Sequence, residues 1–231
     1  MELIGKTAAI VPAAGTGKRM GKDVPKQFLS IQGKPIFIYT LEVLDRCRMV
    51  DEVVLVMAPD HLERAREHIE EFGVRKVTQV IAGGRERQDS VMNGLQNLTQ
   101  VSVVLVHDGV RPFATEKQVK AVIQMVRKHG AAIVAVPAKN TIKRVDNGRV
   151  EVTLNRDLLW QVQTPQGFRF DLLKQAYEQA YADKCYMTDD SALVERLGHT
   201  VHIVEGDYRN IKITSPEDLA VAEAYLALEA S

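Results

Sequence analysis

Three short stretches combine small residues with charged ones in a way that suits a phosphorylated nucleotide. PAAGTGKRMG at 12–21 sets Gly15 and Gly17 beside Lys18 and Arg19, and PKQF at 25–28 adds Lys26. Small residues let a backbone approach a ligand, and successive N–H groups cradle phosphate oxygens. Three cations around one glycine loop match a triphosphate better than a neutral sugar. Two familiar loops are excluded. A Walker A loop needs GxxxxGK[ST], but Pro12 holds its first glycine position and Arg19 follows Lys18. A GxGxxG dinucleotide fingerprint needs glycine where Met20 stands.

The second stretch, AGGRERQDSVMNG at 82–94, puts Gly83 and Gly84 after a strand-like run and Ser90 in the first turns of a helix. Backbone groups plus one hydroxyl at a sheet edge are a fitting way to read a base. The third, HDGVRPF at 107–113, sets Asp108 just past an apolar strand. A carboxylate there is costly to desolvate unless a cation or hydrogen bonds meet it. A magnesium ion carried by a triphosphate is a natural partner, because that hard cation binds through one or two carboxylates and phosphate oxygens. His107 reads as a hydrogen-bonded structural residue rather than a base. Further on, Arg156 in NRD at 155–157 and Lys212 in NIKIT at 210–214 suit a clamp on an anionic substrate. Arginine supplies a bidentate fork and lysine a point charge. His61, His68, His129, His199 and His202 show no ligand pattern.

These stretches need elements to hold them. The runs 7–11, 52–57, 77–81, 102–106 and 132–136 are short, apolar and non-alternating, which predicts strands covered on both faces. Amphipathic segments at 36–46, 61–72, 87–98 and 116–129 lie between them, the last closed by Gly130. Alternating strands and helices predict an α/β, doubly wound, mostly parallel sheet whose ligands sit at the carboxyl ends of the strands. The chemistry is therefore expected just after Val11, Ile81 and Val106. One stretch breaks the alternation: 141–154 reads as a hairpin turning at Asn147-Gly148. A lone two-stranded ribbon is marginal in water, so this one must lean on another surface. A helix at 172–182, an acidic TDD at 188–190, a strand at 200–204 and a helix at 216–228 complete the chain. Ser215 is the expected N-cap of the last helix, with Asp218 at its third position.

Composition sets the outer limits. The 231 residues are 45% hydrophobic and 26% charged, and 30 basic residues balance 30 acidic ones. Nothing in that balance points to a nucleic-acid partner. Cys47 and Cys185 form no CxxC pair, so no zinc site or disulfide scaffold is indicated. No apolar run approaches the roughly 18 residues of a membrane span. The first residues, MELIGK, contain no signal-peptide core, so the expectation is a soluble cytoplasmic protein without a membrane partner.

Taken together and in order, PAAGTGKRM, PKQ at 25–27, GG with ER and SV at 83–91, and HD with RP at 107–112 form a distinctive set. Thr141, Arg156, Leu159-Trp160, TPQ at 164–166, TDD at 188–190 and NIK at 210–212 extend it. The set resembles the 2-C-methyl-D-erythritol 4-phosphate cytidylyltransferase family of the non-mevalonate isoprenoid pathway. The resemblance implies a Rossmann-like nucleotidyltransferase sheet in one domain spanning 1–231, with 138–160 as a β-hairpin arm that clasps a second copy in a homodimer. It implies magnesium-dependent transfer of a cytidylyl group from CTP to methylerythritol 4-phosphate. Ala13, Ala14, Gly15, Gly17, Lys26, Gly84, Ser90 and Asp108 would hold CTP, with Asp108 also serving the metal. Gly109, Arg111, Thr141, Arg156, Thr164 and Lys212 would hold methylerythritol phosphate. Arg19, Lys26, Arg156 and Lys212 would stabilise charge during transfer. Ribitol 5-phosphate cytidylyltransferases share most of these loops; Leu159-Trp160 and AKNTIKR at 138–144 favour the erythritol family. An NAD-dependent oxidoreductase on the same architecture is disfavoured by Met20 and by cations where a ribose-binding acid belongs.

Overall fold

A computed structural model describes residues 5–15 and 25–229. Along the chain run β1 (Lys6–Ala13), a 3-10 turn at Lys26–Phe28, the two-residue strands β2 (Ser30–Ile31) and β3 (Lys34–Pro35), α1 (Ile36–Arg46), β4 (Glu52–Met57) and α2 (Leu62–Glu71). Then come β5 (Val77–Ala82), α3 (Arg87–Gln96), β6 (Val101–Val106), α4 (Glu116–His129) and β7 (Ala131–Pro137). The hairpin strands β8 (Lys143–Asp146) and β9 (Arg149–Thr153) precede β10 (Trp160–Arg169), α5 (Phe170–Ala182), α6 (Asp190–Arg196), β11 (His202–Glu205) and α7 (Pro216–Glu229).

Seven strands form one sheet in the order β11-β7-β10-β6-β1-β4-β5. Every neighbouring pair is parallel except those of β10, which runs antiparallel to both β6 and β7. The β-branched runs of β4, β6 and β7 are buried on both faces, as helices on both sides of a sheet require. Phe37, Leu41 and Leu44 of α1, Ala65 of α2 and Val119 to Val126 of α4 cover one face. Val91 and Leu95 of α3, Leu173 and Tyr177 of α5 and Leu193 of α6 cover the other. The last helix, α7, packs Ala222 into a third cluster with Ile31, Ile36, Phe113 and Ile213. Thr115 and Gln118 make a reciprocal capping box at the start of α4, and Gly130 closes that helix at φ 95°. Asp218 accepts the Thr214 and Ser215 amides, with Ser215 as the cap before α7.

Three features depart from the sequence reading. Residues 77–81 are not covered on both faces: β5 is the sheet's edge, and all of its residues are partly or fully exposed. The segment 160–169, not expected as a strand, is β10 in the middle of the sheet. Its Pro165 cannot donate to a ladder, and the register with β7 is interrupted between Val162 and Gln166, where Pro165 falls. Gly167 belongs there because a Cβ would stand 2.5 Å from Val122 Cγ1. The acidic segment 188–190 opens a helix: Asp189 caps α6 by accepting the Ala192 amide.

The hairpin matches its expectation. Asn147 at φ 46° and Gly148 at φ 77° supply the two positive φ values that a tight turn needs. Every residue of β8 and β9 is exposed, with Val145 at 53% and Val150 at 61%. Leu158 at 77% continues the uncovered apolar surface toward Trp160 and Val162.

Candidate active site

The carboxyl ends of β1, β4, β5 and β6 border a cavity of about 470 Å³. Ala13, Ala14 and Gly15 enter from β1, Gly84 and Ser90 from the turn into α3, and Lys26 from the 3-10 turn. Ser90 Oγ accepts the Gly84 amide at 3.1 Å and donates to the Glu86 carbonyl at 3.1 Å. That pair of bonds ties the glycine turn to the helix, so the exposed backbone of the turn is held in one conformation. Gly17 and Arg19 lie outside the described residues.

Asp108 stands where the cavity meets the end of β6, and three cations meet its carboxylate. Arg87 Nε lies 3.1 Å from one oxygen; Lys212 Nζ at 2.9 Å and Arg111 Nε at 3.5 Å approach the other. Burial pushes the Asp108 carboxyl up, but Arg87, Lys212 and Arg111 outweigh that and hold it well below the usual carboxylate range. Arg87 is itself anchored. Its Nη2 lies 2.7 Å from Asp190, whose other oxygen accepts the Tyr177 hydroxyl at 2.5 Å. Burial lowers the proton affinity of Arg87, but Asp190 and then Asp108 more than restore it, keeping the group well above its ordinary value. Three cations thus face two buried carboxylates, and the site keeps a positive excess for an anionic ligand.

Because β10 runs antiparallel, its first half reaches the same sheet edge as the end of β6, where Gln166 pairs with Val106. A second cavity of about 300 Å³ opens there, lined by Arg111, Gln163 and Thr164 and sharing Arg87, Asp108 and Lys212 with the first. Thr164 Oγ1 accepts the Asp108 amide at 3.1 Å and lies 2.7 Å from His107 Nδ1. His107 is fully buried, and burial lowers its imidazole to about 4 against the opposing pull of Asp108. A neutral, fully enclosed ring fits the structural role read for it from the sequence. Arg111 Nη1 donates to the Asn210 carbonyl at 2.7 Å, and Asn210 Nδ2 donates to the Thr164 carbonyl at 2.9 Å. The loops carrying Arg111, Thr164 and Lys212 are thereby tied together.

The chain matches the family model described as "IspD: 2-C-methyl-D-erythritol 4-phosphate cytidylyltransferase" over residues 7–228. The chain belongs to that family. It is 48% identical over 225 residues to the 2-C-methyl-D-erythritol 4-phosphate cytidylyltransferase of Geotalea uraniireducens, covering 96% of this chain and 97% of that protein. It is 47% identical over 223 residues to the protein of the same name from Geobacter metallireducens, covering 94% and 96%. Among solved structures, the 4-diphosphocytidyl-2C-methyl-D-erythritol synthase of Anaerococcus prevotii superposes with a TM-score of 0.86 at 36% identity, covering 96% of each chain. The Rossmann-like nucleotidyltransferase sheet expected of the family is the sheet observed.

Residues that the family resemblance named fall into two groups. Lys26, Asp108, Arg111, Thr164 and Lys212 border the two joined cavities, as do Ala13, Ala14, Gly15, Gly84 and Ser90. Thr141 and Arg156 do not border either. They lie exposed at the two bases of the hairpin, with Arg156 Nη1 donating to the Lys139 carbonyl at 2.9 Å. Gly109 lines neither cavity; it packs on the end of β1, where a Cβ would stand 2.9 Å from Ala13 Cβ. Sequence reasoning missed Arg87, Asp190 and Tyr177. Arg87 sits in the ER pair at 86–87 and Asp190 in the TDD at 188–190, but a separation of 103 in the sequence hides that they meet. For a metal, the described residues hold no group of three or more His, Cys, Asp or Glu side chains. One ionised carboxylate in a cationic pocket fits a magnesium ion held mainly by a ligand's phosphates rather than by the protein. No helix among the described residues is long and apolar enough to cross a membrane.

Proposed function

We propose that this chain transfers a cytidylyl group from CTP to 2-C-methyl-D-erythritol 4-phosphate, releasing diphosphate, in isoprenoid precursor synthesis. The observation that carries the reading is the cation group of Arg87, Arg111 and Lys212 around Asp108, shared by two adjoining cavities. One cavity suits the nucleotide and the other the acceptor phosphate. A phosphate oxygen of the acceptor attacks the α-phosphorus of CTP, the bond to the β-phosphate breaks, and diphosphate leaves with that electron pair. The nucleophile is already ionised at neutral pH, so no general base is needed, which agrees with His107 being neutral and enclosed. The barrier lies in bringing two anions together, and fixed cations lower it.

In this reading Ala13, Ala14, Gly15, Gly84 and Ser90 hold the cytidine through backbone groups and one hydroxyl. Lys26, together with Arg19, neutralises the triphosphate. Arg111, Thr164 and Lys212 hold methylerythritol phosphate. Asp108 would hold the magnesium ion carried by the triphosphate, which supplies charge neutralisation on the phosphates when bound. The hairpin, at 138–160, clasps a second copy of the chain and brings the partner's Thr141 and the partner's Arg156 to the acceptor. What supports the arm's role is its run of uncovered apolar residues, together with the position of Thr141 and Arg156 outside the cavities of their own chain. Both substrates are anions retained inside cells, and the cytoplasm is the setting for the reaction. Diphosphate release, measured with each nucleoside triphosphate crossed with methylerythritol 4-phosphate and ribitol 5-phosphate, tests the reading. Turnover should require CTP and the erythritol acceptor, because a polar pocket built for one base leaves groups unpaired with another. Equal use of UTP, or preference for the pentitol, contradicts it.

A further inference from the structure

Backbone groups of the turn from Gly83 to Glu86 can tell one base from another only if the turn does not shift. We infer that Tyr181 and Tyr186 are positioning residues that set base selectivity by holding Asp89, the side chain on which this turn rests. The inference rests on the functional reading above. The bonds that pin the turn have directions fixed by chemistry, because a backbone N–H only donates and a carbonyl only accepts. The Gly83 amide donates to the Met57 carbonyl at 2.8 Å, and the Gly84 amide to Ser90 Oγ at 3.1 Å. The Glu86 amide donates to Asp89 Oδ2 at 2.9 Å. Asp89 also backs the turn sterically, since a Cβ on Gly84 would stand 2.2 Å from Asp89 Cβ. Met57 ends a central strand and Ser90 is buried in α3, so the first two anchors are built into regular elements. The Asp89 carboxylate instead borders a cavity of about 410 Å³ behind the turn, shared with Arg85 and Tyr186.

Two hydroxyls hold it there. Asp89 Oδ1 lies 2.6 Å from the Tyr181 hydroxyl and 2.9 Å from the Tyr186 hydroxyl. A carboxylate ionised at neutral pH only accepts, so both tyrosines donate. With Oδ1 taken from two directions, the carboxylate cannot turn, and Oδ2 stays on the Glu86 amide. Gln88 fixes the loop that carries Tyr186: its Nε2 donates to the Cys185 carbonyl and its Oε1 accepts the Met187 amide, both at 3.0 Å. Tyr181 and Tyr186 border neither the nucleotide cavity nor the acceptor cavity, so they act only through Asp89. Cytosine carries an amino donor where uracil carries a carbonyl acceptor. A turn that can shift serves either base, whereas a pinned one leaves polar groups unpaired with the wrong one.

Three variants of the full-length protein test this: Tyr181→Phe, Tyr186→Phe and the two combined. Each keeps the rings and removes only hydroxyls. The double variant should raise KM for CTP about tenfold, the size of one lost hydrogen bond, with a smaller change in KM for methylerythritol phosphate. Its preference for CTP over UTP in kcat/KM should fall by a similar factor. Amide exchange read by NMR should show the Glu86 N–H exchanging about tenfold faster than in wild type. Tyr186→Phe alone alters an exposed side chain; it keeps the test open if the double variant does not fold, and should raise KM for CTP about threefold. An unchanged CTP preference overturns the inference, as does unchanged exchange at Glu86. Equal rises in KM for both substrates overturn it too, because they would mean that the tyrosines only support the fold. If the wild type does not turn over CTP and methylerythritol phosphate, the functional reading fails, while exchange at Glu86 still decides whether the tyrosines hold the turn.

Discussion

The cation group at the sheet's carboxyl edge and the hairpin arm are opposites in construction. At the sheet edge Asp108, Arg87 and Asp190 are each met by a charged partner within the chain, and Tyr177 and Thr164 complete the set. Along the arm, Val145, Val150, Leu158 and Trp160 are uncovered, and the described ion pairs, such as Arg144 with Glu151, stay on its surface. The first region is finished by its own chain; the second leaves its apolar residues uncovered by the described residues of its own chain. A ligand entering the first exchanges partners that are already in place, which is what preorganised electrostatic stabilisation requires. The second gains its energy only when apolar surface is covered.

Substitutions should separate the two regions sharply. Asp190→Ala leaves Arg87 buried beside one fewer carboxylate and should cost about 3–5 kcal/mol of stability, measured by denaturant unfolding, because a broken buried pair strands a charge. A loss under about 1 kcal/mol would show that water enters and that the network is not preorganised. Lys26→Ala should lower kcat by roughly 10²–10³-fold with a smaller rise in KM for the acceptor, as for charge stabilised chiefly in the transition state. Near-normal turnover would remove Lys26 from the reaction.

Acid should also find the edge region first. The folded-state pKa of Asp108 is depressed, so its contribution is fully present above the unfolded value of about 3.9 and is lost as pH falls below it. Stability measured between about pH 5 and 2 should therefore fall less steeply in Asp108→Asn than in wild type. Parallel slopes would mean that Asp108 is no better partnered in the folded chain than in the unfolded one. The smallest effect belongs to the arm. Val150→Lys should change the stability of the isolated subunit by no more than about 0.5 kcal/mol, since the side chain is already in water. The same change should weaken self-association, read by sedimentation.

Much of the edge region was legible because its signals are local. Strand runs ending at Val11 and Val106, the glycine pair before α3 and the Asn147-Gly148 turn each announce themselves within a few residues. The parts that were not legible depend on distant partners. Trp160–Arg169 carries a proline and a glycine that argue against a central strand, and only the break in its register and the small space under Val122 explain both. Asp190 looks like one more surface acid at a helix start until the fold delivers Arg87 and Tyr177 to it. Thr164 reaches Asp108 only because β10 runs antiparallel to its neighbours. The short turn at Gln32-Gly33 between β2 and β3 is also local; its positive φ values, 51° and 79°, follow the same rule as the arm's turn.

Both regions meet in one site only if the arm of one subunit serves the cation group of the other. Mixing Arg156→Ala with Lys26→Ala, each inactive alone, tests this directly. Random subunit exchange puts about half of the chains into mixed dimers in which one site carries both lesions and the other carries neither. Activity should then return to roughly a quarter of wild type when the sites act independently. If size analysis shows that subunits have exchanged and activity stays absent, Arg156 works within its own chain and the two regions do not share a site.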